Sequence, residues 1–114
     1  MESVKATEAA AGEVAVSQST RVRLDDIEAA IAAENTFVVG DAVEALGQPS
    51  HDSLGLLTVT VITMKNGFTV IGKTAPADPA NFNADLGRRF SREDAIRQLW
   101  PLMGFALRDR LASA

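Results

Sequence analysis

From residue 56 to residue 64 apolar and polar side chains alternate cleanly, and the run is rich in Val, Ile and Thr, the pattern of a half-buried strand. Asn66-Gly67 follows, a pair suited to the two positive-φ positions of a type I′ hairpin turn. Closing the hairpin at Lys65 and Phe68 would pair Met64 with Thr69, Thr63 with Val70, Ile62 with Ile71 and Val61 with Gly72. One face then presents Leu57, Val59, Val61, Thr63, Phe68 and Val70, and it is the expected core face. The other presents Thr58, Thr60, Ile62, Met64, Thr69 and Ile71, a mixture suited to partial cover by a helix, a neighbouring subunit or a small ligand.

Upstream, Leu24, Ile27, Ala30 and Ile31 recur at helical spacing, which predicts an amphipathic helix over 24–33 with Asp25, Asp26 and Glu28 near its positive end. A short strand is expected over 36–39, then a turn at Gly40-Asp41. A breaker-rich connection over 42–55 follows, of which 42–46 equally suits one helical turn. Residues 1–20 are rich in Ala, Glu, Ser and Thr without sustained periodicity and are expected to be a mobile arm, the Ala run supporting at most a transient helix. The remaining residues, 21–114, are expected to form a single α+β domain. It would be a small antiparallel sheet built on the hairpin, packed with one N-terminal helix and C-terminal helices.

Downstream of Lys73 the loop TAPADPANFN places Asp78 as a cap before Pro79, so a short helical turn would present Asn81, Phe82 and Asn83. A helix should begin near Asn83 or Ala84, with Leu86 and Phe90 on one side and Arg88 and Arg92 one turn apart on another. Ser91 and Asp94 have the spacing of a capping box, where the helix would break. Gly87, Ser91 and Ala95, however, form a small-residue stripe that suits one continuous helix approached closely by another backbone. Pro101 should end or kink it and start a terminal helix with Leu102, Met103, Ala106, Leu107 and Leu111 on its apolar side.

Composition narrows the function classes. With 114 residues and 46% hydrophobic content there is room for one small domain, whose limited core makes homo-oligomerisation an expectation. No apolar run approaches the roughly 18 residues of a membrane span, no secretory signal is visible and there is no cysteine, so a cytoplasmic protein is expected. A net charge of -4 disfavours nucleic acid and anionic membrane as partners. The charge is uneven: Arg23, Lys65 and Lys73 are the basic residues of 23–83, whereas Arg88, Arg89, Arg92, Arg97, Arg108 and Arg110 all follow.

Catalytic chemistry is nearly absent. His51 is the sole histidine and there is no cysteine or tyrosine, so a His/Cys zinc site or a thiol nucleophile is excluded. Ser50, His51 and Asp52 are consecutive in a turn-rich loop, where neighbouring side chains diverge. Asp25 with Asp26, and Glu93 with Asp94, diverge by about a hundred degrees on a helix and suit cap and surface charge better than a paired-carboxylate site. No enzyme, cofactor or metal is expected.

The candidate ligand-binding constellation is Asn81, Phe82, Asn83, Arg88 and Arg92, with Lys73 as a helper. Phe82 would stack on a base, the asparagines would read its polar edges, and the guanidinium groups match phosphate with two parallel hydrogen bonds. The competing account gives each a structural role: Phe82 a buried staple, Asn83 a cap, Asn81 a turn residue and the arginines solvated.

Two segments, VTVITMKNGFTVIGK and ADPANFNADLGRRFSREDAIRQLWPLMGFALRDRL, carry a resemblance. They resemble the small tailed-phage proteins of the gene-forty-nine/gene-sixty-six family, which share a strand, NGFTV, a loop ending in NF, then GR, an acidic-rich helix and WPL. The resemblance covers roughly the C-terminal half. The chain is also similar to the Thoeris anti-defence sponge proteins, which bind cyclic ADP-ribose signals and related cyclic nucleotides as oligomers without cleaving them. The resemblance therefore implies a phage accessory protein in the host cytoplasm that sequesters a cyclic nucleotide signal. The rival expectation is a structural or protein-interaction accessory that uses the Ile62 and Met64 face and the terminal helices.

Overall fold

A computed structural model of the 114-residue chain describes residues 3–14 and 20–114, with the side chain of Val14 excepted. Among these residues four α-helices and three strands follow in the order α1 (Val4–Val14), α2 (Leu24–Ala29), β1 (Ile31–Val38), α3 (Val39–Ala45), β2 (Thr58–Met64), β3 (Thr69–Thr74) and α4 (Ala84–Ser113), with short 3-10 helices over Asp52–Leu56 and Pro79–Asn81. The strands form one antiparallel sheet in the order β1-β2-β3, and α4 lies across one face of it. The α+β class and the hairpin-based sheet are as expected.

The hairpin exists, but its register is one residue away from the expected one. Thr63 pairs with Thr69, Ile62 with Val70, Val61 with Ile71 and Thr60 with Gly72. The physical reason lies in the turn. A type I′ turn needs positive φ at both central residues, and of the two Gly67 alone has it, at φ 88, since among the described residues only glycines do. The loop is therefore the three-residue 65–67 form. Gly67 N–H donates to the Met64 carbonyl, Met64 N–H to the Phe68 carbonyl, and Phe68 N–H to Asn66 Oδ1.

That slip accompanies a change of face. Thr58, Thr60, Ile62 and Met64 are buried under α4, while Leu57, Val59, Val61 and Thr63, expected as core, are half-buried on the uncovered face. Val70 stays in the core because its partner is now Ile62. The Ile62 and Met64 face is thus not a free interaction surface.

The covering helix explains the choice. Gly87, Ser91 and Ala95 are all buried and seat α4 on the sheet, as the small-residue stripe predicts. At Gly72 a Cβ would lie 2.0 Å from the Ser91 carbonyl oxygen and 2.4 Å from the Ala95 nitrogen, so only glycine fits that crossing. Ser91 Oγ and Thr60 Oγ1 are 2.7 Å apart, and Thr60 Oγ1 is 2.9 Å from Thr36 Oγ1, a hydroxyl chain that satisfies polar groups at the contact. Ile27, Ile62, Ile96 and Leu99 are fully buried around it and supply the apolar core.

Three further differences concern element boundaries. The helix expected over 24–33 stops at Ala29, and Ile31–Val38 is a full strand instead of a short one at 36–39. Alanine favours helix locally, but Thr36, Phe37 and Val38 pair with β2, and zipping that strand back to Ile31 overrides the local preference. α3 replaces the turn expected at Gly40-Asp41 and continues through most of 42–46, where one helical turn was the alternative. Finally, α4 is a single helix of 30 residues that carries Pro101 within it, so the helix does not end there. Proline removes one helical donor, and packing on both sides of it favours continuing the helix: Leu99 is buried, and Trp100 and Met103 pack on the core.

The N-terminal segment also gains definition. Val4–Val14 is helical, Val4 is buried in the core, its N–H donates to Glu93 Oε2 at 3.0 Å, and Glu8 pairs with Arg21 at 3.1 Å. The remaining positions of the expected arm, 1, 2 and 15–19, lie outside the described residues.

Candidate functional site

The loop after β3 folds as its sequence dictates. Asp78 Oδ1 accepts from Ala80 N–H, Pro79 opens a 3-10 turn over Pro79–Asn81, and Asn83 caps α4 by accepting from Leu86 N–H at 3.0 Å. Because Thr58 pairs with Thr74, this loop returns beside the start of β2. A groove of about 200 Å³ results, walled by Asn81, Phe82 and Asn83 on one side, by Leu86, Gly87 and Phe90 of α4 on another, and by Leu56, Thr58, Thr74 and Pro76 from the sheet end.

Phe82 is 36% exposed, so its ring forms part of an accessible wall and is not the fully buried staple of the competing account. Asn83 does act as a cap through its side-chain oxygen, and its amide nitrogen has no hydrogen-bond partner among the described residues. At the floor, Thr58 is 3% exposed and its Oγ1 has no hydrogen-bond partner among the described residues. It faces Gly87, where a Cβ would approach it to 2.6 Å.

The structure brings together only half of the expected constellation. Asn81, Phe82 and Asn83 converge, whereas Lys73, Arg88 and Arg92 do not line the groove. The phase of α4 is the cause. With Gly87, Ser91 and Ala95 against the sheet, Leu86 and Phe90 turn toward the groove, and Arg88 and Arg92 turn away from it. Arg88 is exposed and pairs with Asp85. Arg92 reaches across to β1, with its Nε 2.6 Å from Glu34 Oε1 and its Nη1 3.8 Å from Glu28 Oε1. Lys73 is exposed, and its N–H donates to Asp94 Oδ2 at 2.9 Å.

Arg92 instead borders a second cavity of about 290 Å³ with Lys5, Glu28, Arg89 and Glu93, where both charge signs alternate. Arg89 and Glu93 pair there at 3.4 Å. Mixed signs and exchanged ion pairs leave little net potential for an anion. Titration adds one feature: the hydrogen bond from Arg21 holds the Glu8 carboxyl below its ordinary range, and the same contact raises Arg21.

His51 is used locally. Its Nδ1 accepts from Ser53 N–H at 3.1 Å, and Ser50 Oγ donates to the His51 carbonyl, so His51 caps the 3-10 helix over Asp52–Leu56. Among the described residues no group of three or more His, Cys, Asp or Glu side chains is placed to hold a metal, and no helix is long and apolar enough to cross a membrane.

The groove residues absent from the expected constellation are Leu86, Gly87 and Phe90 of α4 and, from the sheet end, Leu56, Thr58, Thr74, Ala75 and Pro76. The signal that would have found the latter is the hairpin register, which sets Thr74 beside Thr58 and carries the loop with it. A comparison with family models matches residues 22–111 to the Phage protein (N4 Gp49/phage Sf6 gene 66) family. No curated protein and no solved structure matches the chain.

Proposed function

Because the chain belongs to the Phage protein (N4 Gp49/phage Sf6 gene 66) family, we propose that it is a phage accessory protein that acts by binding, without catalysis. Its ligand in this reading is a cyclic ADP-ribose-type or cyclic oligonucleotide immune signal, which it sequesters uncleaved as a homo-oligomer in the host cytoplasm. The observation that carries the reading is the accessible Phe82 ring between Asn81 and Asn83, at the mouth of a groove entered beside the N-terminus of α4.

The groove volume refines it. At about 200 Å³ it is below the roughly 300–1,000 Å³ that encloses a drug-sized ligand, so one planar base enters and the rest of the ligand stays outside. Arg88 and Arg92 are not the phosphate clamp within this groove. Each would have to leave its carboxylate partner to serve a ligand.

Calorimetric titration against a panel of cyclic ADP-ribose isomers and cyclic di- and trinucleotides tests the proposal, with recovery of intact ligand after denaturation. Phe82→Ala is expected to weaken binding by the roughly 1–3 kcal/mol of one base stack, about five-fold to a hundred-fold and more, while the thermal midpoint moves little. Absence of binding across the panel overturns the reading for those ligands.

A second reading, a protein-interaction accessory, is favoured by the open face of the sheet. There Phe37 is 40% and Ile71 57% exposed beside half-buried Val59 and Val61. It differs from the earlier expectation in the face used.

A further inference from the structure

The sheet has two edges, and the chain treats them differently. On the outer side of β3, the Lys73 N–H donates to Asp94 and the Ile71 carbonyl accepts from Gln98 Nε2 at 2.7 Å, so two α4 side chains occupy that edge. On β1, Val39 N–H donates to the Leu57 carbonyl, and by the alternation of an antiparallel ladder the odd-numbered residues face β2. The N–H and C=O groups of Glu34 and Thr36 therefore point outward, and no hydrogen bond to them is present among the described residues.

Residues 32–37 are all exposed along this eight-residue strand. It carries no proline and no lysine, two usual means of blunting an edge, and its one bulge, between Ile31 and Ala33, leaves 33–38 in regular register. Its one charge, Glu34, is already held by Arg92.

We propose that β1 is a self-association edge, on which two copies of this chain pair antiparallel about a two-fold axis at Asn35 and join their sheets into one of six strands. This specifies the homo-oligomer of the preceding reading and rests on it. Pairing through the outward groups allows two-folds centred on 34, 35 or 36. A centre at 34 sets Glu34 against its own copy, which like charges oppose. A centre at 36 sets Glu34 opposite Val38, an apolar partner for a charge. The centre at 35 uses the regular stretch 33–37, sets Glu34 opposite Thr36, and packs Phe37 over Ala33 of the second copy on the open face. The other occupants of an open edge, an unrelated strand or none, are outcomes of the test.

The chain contains no cysteine, so a single introduced one reports register. Asn35 would face its own copy as a non-hydrogen-bonded pair with Cα atoms about 4.5 Å apart, within disulfide reach. Ala33 would face Phe37 and lie too far from its own copy to bridge. Under mild oxidation Asn35→Cys is expected to shift to twice the chain mass on a non-reducing gel, Ala33→Cys to stay at the single-chain mass, and the unsubstituted chain to sediment as a dimer or a multiple of it. Both side chains are exposed, and circular dichroism of each variant confirms that the fold is kept. A monomer in sedimentation overturns both the oligomer and the edge. An oligomer with no bridge at 35, or with equal bridging at 33, overturns the β1 pairing alone.

Discussion

Under α4 the sheet presents Thr58, Thr60 and Gly72 alongside Ile62, Met64 and Val70, whereas its open face carries Phe37, Val59, Val61 and Ile71. Judged by hydrophobicity alone, the open face has the stronger claim to burial. The covered face wins because it permits a closer approach. Gly72 and the Gly87, Ser91 and Ala95 stripe let the α4 backbone reach the sheet, and the Thr60–Ser91 hydroxyl contact removes the cost of burying two polar groups. Packing geometry outweighed a difference of a few side chains' transfer energy.

The comparison breaks most sharply at the crossing itself. Gly72→Val places atoms where the Ser91 carbonyl and the Ala95 nitrogen already lie, and since those are backbone atoms the helix must move. A loss of about 3 kcal/mol or more is expected in denaturant unfolding. The smaller effect, of opposite sign, is at Thr58. Its Oγ1 is buried without a partner, so Thr58→Val, which keeps the shape and removes the hydroxyl, is expected to leave stability unchanged or raise it by up to about 1 kcal/mol in the same measurement. A marked loss there would mean that the hydroxyl has a partner in solution.

Local chemistry was legible where a residue type has one use. The Asp78-Pro79 cap, the Asn83 start of α4, the Asn66-Gly67 reversal and the small-residue stripe all appear where the sequence sets them. What escaped was decided at a distance. Whether Asn66 or Gly67 alone turns left-handed shifts the hairpin by one residue, and the alternating pattern cannot choose between the two registers. β1 is an Ala-rich stretch whose strand identity comes from its partner. In the candidate site, Asn81, Phe82 and Asn83 are close in sequence and stay together, while the positions of Arg88 and Arg92 depend on the rotation of α4, which the sheet sets. Both arginines found carboxylates, as surface arginines on an acidic chain do.

The functional proposals depend on which face is free, since the open-face reading fails if α4 lies on the other side, and with it the packing of Phe37 over Ala33 in the pairing at β1. Cysteine accessibility decides it most directly, because the chain has no background thiol. Val61→Cys and Ile62→Cys are neighbours on β2 that point to opposite faces. Labelled with a maleimide under native conditions, Val61→Cys is expected to react readily, as at an open surface, and Ile62→Cys to be protected until the protein unfolds. Rapid labelling of Ile62→Cys with protection of Val61→Cys would contradict the account.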